Sequence, residues 1–279
     1  MRYERNVGNW DECQAAFREI LDSNIESISG VWFRGQADAN WPLESTLERR
    51  VGGKCRLLDY YDLASSIKPA IETFTNCAWL LPDATEISTW ASSYDARRPG
   101  SAILAYDYLA HLRHNGFPSP LLDWTRSPYV AAFFAFSKPA GRDVAIYAYA
   151  DMPQNSKIGG SDWPRIDLLG PLVRTHRRHF RQQSAYTICT QYEKGSWYIA
   201  KHQSVFDREM PNQDVICKIT LPASERVKIL SELLLSNINA FSLFDSKEAL
   251  MEALAFEHME LQEAKREARR AARAVAETH

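Results

Sequence analysis

Cysteine is scarce and scattered in this 279-residue chain: Cys13, Cys55, Cys77, Cys189 and Cys217 lie far apart, with no Cys-x-x-Cys pair. An odd total without paired spacing argues against a disulfide framework and against a zinc cluster. A reducing, cytoplasmic setting is the expectation. Long apolar runs are missing as well, since the longest, Tyr129 to Phe136, covers eight residues, where a bilayer-spanning helix needs roughly 20. No membrane partner is expected. Residues Met1 to Asn6 are polar and lack the apolar stretch of a secretory signal. Net charge is also small, with a formal balance of −2, so any contact with nucleic acid or anionic lipid must come from a local patch. The absence of an internal repeat excludes a solenoid, and no long Gly/Ser or Pro linker divides the chain.

What is present is an ordinary globular composition, 45% hydrophobic and 24% charged, in a chain long enough to bury a substantial core. Eight Trp, twelve Tyr and twelve Phe supply rigid surfaces that build cores and can also stack on a base or a nicotinamide-like ring. Asn9 and Glu12 have capping-box spacing, and Trp10, Cys13, Phe17, Ile20 and Leu21 recur at helical intervals, which predicts a helix over 10–22. Gly30-Val31-Trp32-Phe33-Arg34 reads as a strand that delivers Arg34 to its end, with Gly35 permitting a tight exit. Helices are predicted over 56–80 and 101–115, the second stopped at Asn115-Gly116. Ser127 then precedes Pro128 as the N-cap of an all-apolar, and therefore buried, helix. Segments 143–149, 184–190, 197–200 and 215–220 read as strands, followed by a helix over 224–235. Asp245 and Glu248 repeat the capping-box spacing before a last helix running toward 276. The expected class is α+β: a mixed sheet with flanking helices and a long C-terminal helix.

Two segments carry chemistry. In Trp32-Phe33-Arg34-Gly35-Gln36 a guanidinium sits among bulky aromatics and a glycine, where a charge needs a partner. Either it forms a buried ion pair, with Asp123 as candidate, or its planar fork clamps a phosphate or ribose. In Leu121-Leu122-Asp123-Trp124-Thr125-Arg126-Ser127-Pro128 a polar turn leads into the N-terminus of the apolar helix, a point that suits an anion. The alternatives are that Ser127 only caps the helix, Trp124 fills the core and Asp123 orders the turn. A third segment, residues 174–181, holds Arg174, Arg177, Arg178 and Arg181 with two histidines. It is either a clamp on a phosphate-bearing substrate, a nucleic acid or a protein target, or a solvated loop. His176 and His179 lack further ligands at zinc spacing, so no metal is expected.

Phe33-Arg34-Gly35-Gln36, followed by Asn115-Gly116-Phe117-Pro118-Ser119-Pro120-Leu121-Leu122-Asp123-Trp124-Thr125 with Pro128 and the Ala/Phe helix, resembles the FRG-domain family, named for its Phe-Arg-Gly triplet. Residues 181–187 resemble its third block, and Ser242-Leu243-Phe244-Asp245 its C-terminal end. The chain accordingly reads as an FRG-like domain over 1–260 and a basic Ala/Arg-rich helix end over 261–279. It departs from the pattern in having Arg113-His114-Asn115 where the family tends to show a Gln-His pair, and Ser184 in place of a Gly. The resemblance implies a cytosolic bacterial or phage protein of toxin and defence systems, with an antitoxin-like protein as candidate partner.

The order of an arginine strand, a Thr-x-Ser before a helix and a late polar strand is similar to ADP-ribosyltransferase-like folds, an analogy of layout. It implies NAD as substrate, with Arg34, Asp123, Thr125 and Gln183 as catalytic candidates. Gly35, Gln36, Trp124, Ser127, Arg181 and Gln182 would bind the dinucleotide. The late strand offers Gln182 and Gln183 where such a site needs a carboxylate, which leaves Asp123, or more weakly Glu193, to supply the charge. The expectation is an NAD-dependent ADP-ribosyltransferase or NAD glycohydrolase; the alternatives are a non-catalytic nucleotide-binding module and a nuclease.

Overall fold

The computed structural model describes residues 2–23, 30–92, 103–151, 162–207 and 214–277. Strand β1 (Arg2–Asn6) precedes α1 (Trp10–Ser23), whose start is held as its spacing predicts. The Glu12 N–H donates to Asn9 Oδ1 at 3.0 Å, and the Gly8 N–H donates to the Glu12 carboxylate at 2.8 Å. Then come β2 (Val31–Gln36), α2 (Thr46–Val51), β3 (Cys55–Arg56), α3 (Leu57–Thr75), α4 (Ala84–Ser92), α5 (Tyr106–His114), β4 (Leu122–Thr125) and α6 (Pro128–Phe136). The second half continues with β5 (Asp143–Ala150), β6 (Arg165–Leu169), α7 (Arg177–Arg181), β7 (Ser184–Glu193), β8 (Ser196–Ile199), α8 (Gln203–Phe206) and β9 (Val215–Pro222). Helices α9 (Arg226–Leu235), α10 (Ala240–Phe244) and α11 (Lys247–Ala255) follow. A π turn over Phe256–Glu260 carries α11 into the long C-terminal α12 (Leu261–Glu277).

The strands make one sheet in the order β1-β9-β5-β2-β4-β7-β8-β3, with β6 also on β7. Only β1 and β9 pair in parallel among these, so the sheet is mixed and the fold α+β. Period-two alternation assigns the faces of β2. Val31 and Phe33 join the core beneath α1, α6 and α9, whereas Trp32 joins a second core with Trp124, Tyr149 and Phe206. A third core lies under α3 and α5 around Tyr60, Tyr61, Tyr108 and Tyr186. No helix among the described residues is long and apolar enough to cross a membrane.

Several elements differ from expectation. Strand β2 runs two residues past Arg34, and Gly35 pairs with Ile146 instead of turning the chain. The glycine is needed for packing: a Cβ there would lie 2.0 Å from the Ala131 carbonyl oxygen and 2.6 Å from the Ala135 nitrogen, so α6 rests directly on the strand. Residues 122–125 form β4, not a turn, because β7 pairs with all four of them and β2 with Thr125. The helix expected to reach 80 stops at Thr75, before Asn76 in a left-handed conformation (φ 49°). Residues 101 and 102 lie outside the described residues, and the helix predicted there starts at Tyr106. The α11 cap is Ser246, which accepts from the Ala249 N–H, while Asp245 is the left-handed stop of α10. Helix α4, strand β6 and the short α7 are additions to the expected elements.

Candidate functional site

Strands β2 and β4 share a single ladder position, Phe33 opposite Thr125, although β2 pairs with β5 over six residues and β4 with β7 over four. Past that position they part. Arg34, Gly35 and Gln36 on one lip and Asp123 and Trp124 on the other line a cleft of about 450 Å³, a size typical of small-molecule sites. Arg34 reaches across the gap, its Nη1 donating to the Asp123 backbone carbonyl at 3.0 Å and lying 3.7 Å from Oδ2. Its Nε is buried without a partner, and its Nη2 makes no hydrogen bond among the described residues. Burial lowers the Arg34 pKa to about 10, with Asp123 acting in the opposite direction. The guanidinium therefore stays charged at neutral pH.

The main partner of Asp123 is Arg113. The Arg113 Nε donates to both carboxylate oxygens, at 3.1 and 2.9 Å, and Nη2 makes a further bond to Oδ2. Burial pushes the Asp123 carboxyl up, but Arg113 and then Arg34 outweigh it and hold the group below the usual carboxylate range. Asp123 raises the Arg113 pKa in return. Arg49, at the end of α2, and Arg178 of α7 complete the lining, giving four guanidinium groups against one carboxylate. Arg178 is anchored by Nε donating to the Phe244 carbonyl at 3.0 Å. Apolar walls come from Trp41, Trp124, Phe134 and Phe244, the last two packed edge to face at 5.8 Å. Gln36 is buried; its amide donates to the Pro42 carbonyl at 3.1 Å and its Oε1 has no partner.

Thus Arg34, Asp123, Thr125, Gly35, Gln36, Trp124 and Gln182 meet in one cleft. Thr125 is committed to the backbone: Oγ1 donates to the Gln182 carbonyl at 2.6 Å and accepts from the Ser127 N–H at 3.1 Å. Ser127 caps α6, accepting from the Val130 N–H at 3.3 Å, and α6 contributes Phe134 to the lining, not its first turn. Gln183 is exposed with φ 48° and gives its carbonyl to the Arg126 N–H; its neighbours Gln182 and Ser184 line the cleft, and Gln183 is not among the lining residues. The arginine-rich segment is divided among three settings. Arg178 lines the cleft, Arg181 pairs with Asp245 at 3.0 Å, and Arg174 and Arg177 are exposed. Glu193 lies elsewhere, paired with Lys54.

Sequence reasoning missed Arg113, Arg49, His114 and His202. The Trp124 indole donates to Thr187 Oγ1 at 2.8 Å; that hydroxyl lies 3.0 Å from His202 Nε2, and His202 Nδ1 lies 2.7 Å from Glu48. This buried chain fixes the Trp124 ring. His114 lines the cleft, with Nε2 2.6 Å from the Tyr186 hydroxyl, and burial lowers its pKa to about 4. The one available signal was the Arg113-His114 pair standing where the resemblance leads one to look for Gln-His. Among the described residues no group of three or more His, Cys, Asp or Glu side chains is placed to hold a metal ion.

Compared with known proteins, residues 29–143 match the model of the FRG domain. That span contains the lips around Arg34 and Asp123 and ends before Arg178 and Gln182. No curated protein and no solved structure matches the chain.

Proposed function

Residues 29–143 match the FRG domain, and from that premise we propose that the cleft binds a nucleotide by the phosphates. The observation that carries this reading is a cleft in which guanidinium groups outnumber carboxylates and in which Arg34, placed where β2 and β4 part, keeps an Nη2 without a hydrogen bond among the described residues. A planar fork of this kind suits phosphate oxygens. The aromatic walls provide a face on which a base can stack. Calorimetric titration of the full chain with adenosine diphosphate and with NAD tests the reading. Binding that weakens in Arg34→Lys, which keeps the charge and loses the fork, supports it; absence of binding by the wild-type chain sinks it.

A second reading, NAD-dependent ADP-ribosyl transfer or NAD hydrolysis, draws on the ionised Asp123, whose side chain is 36% exposed on the cleft. In such a reaction nicotinamide leaves with the electron pair of its glycosidic bond, and a carboxylate stabilises the oxocarbenium-like ribose. Here Arg113 offsets much of that charge, and Gln182 brings only an amide. Binding is therefore better supported than catalysis. Release of free nicotinamide from NAD by wild type, abolished in Asp123→Asn, would establish the enzyme reading and give a toxin or defence effector its chemistry.

A further inference from the structure

A hydrogen-bond chain running from the cleft to the backbone fixes which nitrogen of His114 carries a proton. His179 Nε2 lies 2.9 Å from the Pro171 carbonyl, and a carbonyl can only accept, so this nitrogen is the donor. Burial keeps the His179 ring neutral at neutral pH, so Nδ1 must be an acceptor. The Tyr186 hydroxyl, 3.2 Å away, supplies that proton. A hydroxyl has one proton, so at its other contact, 2.6 Å from His114 Nε2, the Tyr186 oxygen accepts and His114 Nε2 donates. In the neutral ring this leaves His114 Nδ1 with a lone pair and without a hydrogen-bond partner among the described residues.

The residue so fixed lines the same cleft as Arg34. Gln36 also lines that cleft: its amide nitrogen is committed to Pro42, and its Oε1, shielded from solvent, has no partner. Guanidinium groups attract the anionic part of a ligand, whereas bare acceptors require a part that donates. A ribonucleotide has both parts. We propose that His114 Nδ1 accepts a hydrogen bond from a ribose hydroxyl of the bound nucleotide, and that Tyr186 and His179 are positioning residues that hold the ring in the accepting tautomer. This rests on the nucleotide-binding reading and adds a preference for ribose.

Two probes separate the inference from that reading: adenosine diphosphate and dideoxyadenosine diphosphate, which keeps the base and phosphates but lacks the ribose hydroxyl donors. Wild type should prefer the ribose form by about tenfold, the effect of one hydrogen bond, and His114→Phe should lose the preference while still binding both forms. Wild type that binds both equally, or His114→Phe that keeps the full preference, overturns the inference and leaves nucleotide binding standing. Wild type that binds neither overturns both. Nitrogen-15 correlation spectra of the unliganded full chain near neutral pH give a readout independent of any ligand. They should show His114 and His179 protonated at Nε2, and Tyr186→Phe should release His114 into a mixture of tautomers and shrink the ribose preference. A wild-type His114 protonated at Nδ1 refutes the positioning chain.

Discussion

Replacing Arg113 by Ala should cost more stability than replacing Arg34 by Ala, although Arg34 is the arginine of the Phe-Arg-Gly triplet. Arg113 holds the Asp123 carboxylate through Nε at 3.1 and 2.9 Å and through Nη2, and its loss leaves only Arg34, 3.7 Å from Oδ2. Breaking a buried pair costs about 3–5 kcal/mol. Asp123 is 36% exposed, so water partly replaces the lost partner and reduces the cost to roughly 2–3 kcal/mol. Arg34→Ala removes one charge-assisted bond to a backbone carbonyl, at 3.0 Å, worth about 1.5–3 kcal/mol. It also relieves a cation whose Nε is buried without a partner, so the net loss is about 1 kcal/mol. For a chain of this length each kcal/mol moves the midpoint by about 2 °C. Scanning calorimetry should therefore place Arg113→Ala about 4–6 °C below wild type and Arg34→Ala about 2 °C below. Titration with adenosine diphosphate should respond to Arg34→Ala with a loss of about tenfold or more. An Arg34→Ala variant that melts at or below Arg113→Ala would show that Arg34 holds the fold, and the clamp reasoning would fail.

Gly35→Ala should destabilise by about 3 kcal/mol or prevent folding, because the added methyl meets helix backbone, which no rotamer change can move. A variant that melts like wild type contradicts the direct seating of α6 on β2. Burial lowers the pKa of His114 to about 4, and those of His111, His176 and His179 also fall. Since the folded values lie below the unfolded one, the unfolded chain binds more protons between about 6.5 and about 4. Stability is then full above about 6.5 and declines as pH falls toward about 4. Urea midpoints that stay constant across that window would refute the shift, and His114→Phe should flatten the decline. Deleting residues 264–279 should change the melting midpoint by about 2 °C or less, because the described side chains of that stretch are exposed apart from a half-buried Ala264. A larger drop would mean that α12 stabilises the body.

Local patterns were sufficient for the elements whose own residues settle their conformation. The capping pair Asn9 and Glu12 marks the start of α1, and Ser127-Pro128 marks that of α6, because a cap bonds within one turn. The stop of α3 at Asn76 and the Ser246 cap of α11 are less legible, because adjacent residues such as Asp245 and Ser246 offer similar caps. The blocks around Arg34 and Asp123 also pointed to one site. Their sequence could not show that β2 and β4 meet at one residue pair and then part, since a ladder's length depends on what both strands pair with on their other sides. Nor could it show that Arg113 is the main partner of the carboxylate that was one of the two alternatives for Arg34, because the end of α5 is brought to β4 only by the core beneath it. The residue types available to the cleft were determined by the sequence itself. Which of them are already spent on one another, and which are left facing outward with a free donor or lone pair, was decided by the tertiary structure, because hydrogen-bond partners are assigned by proximity in space.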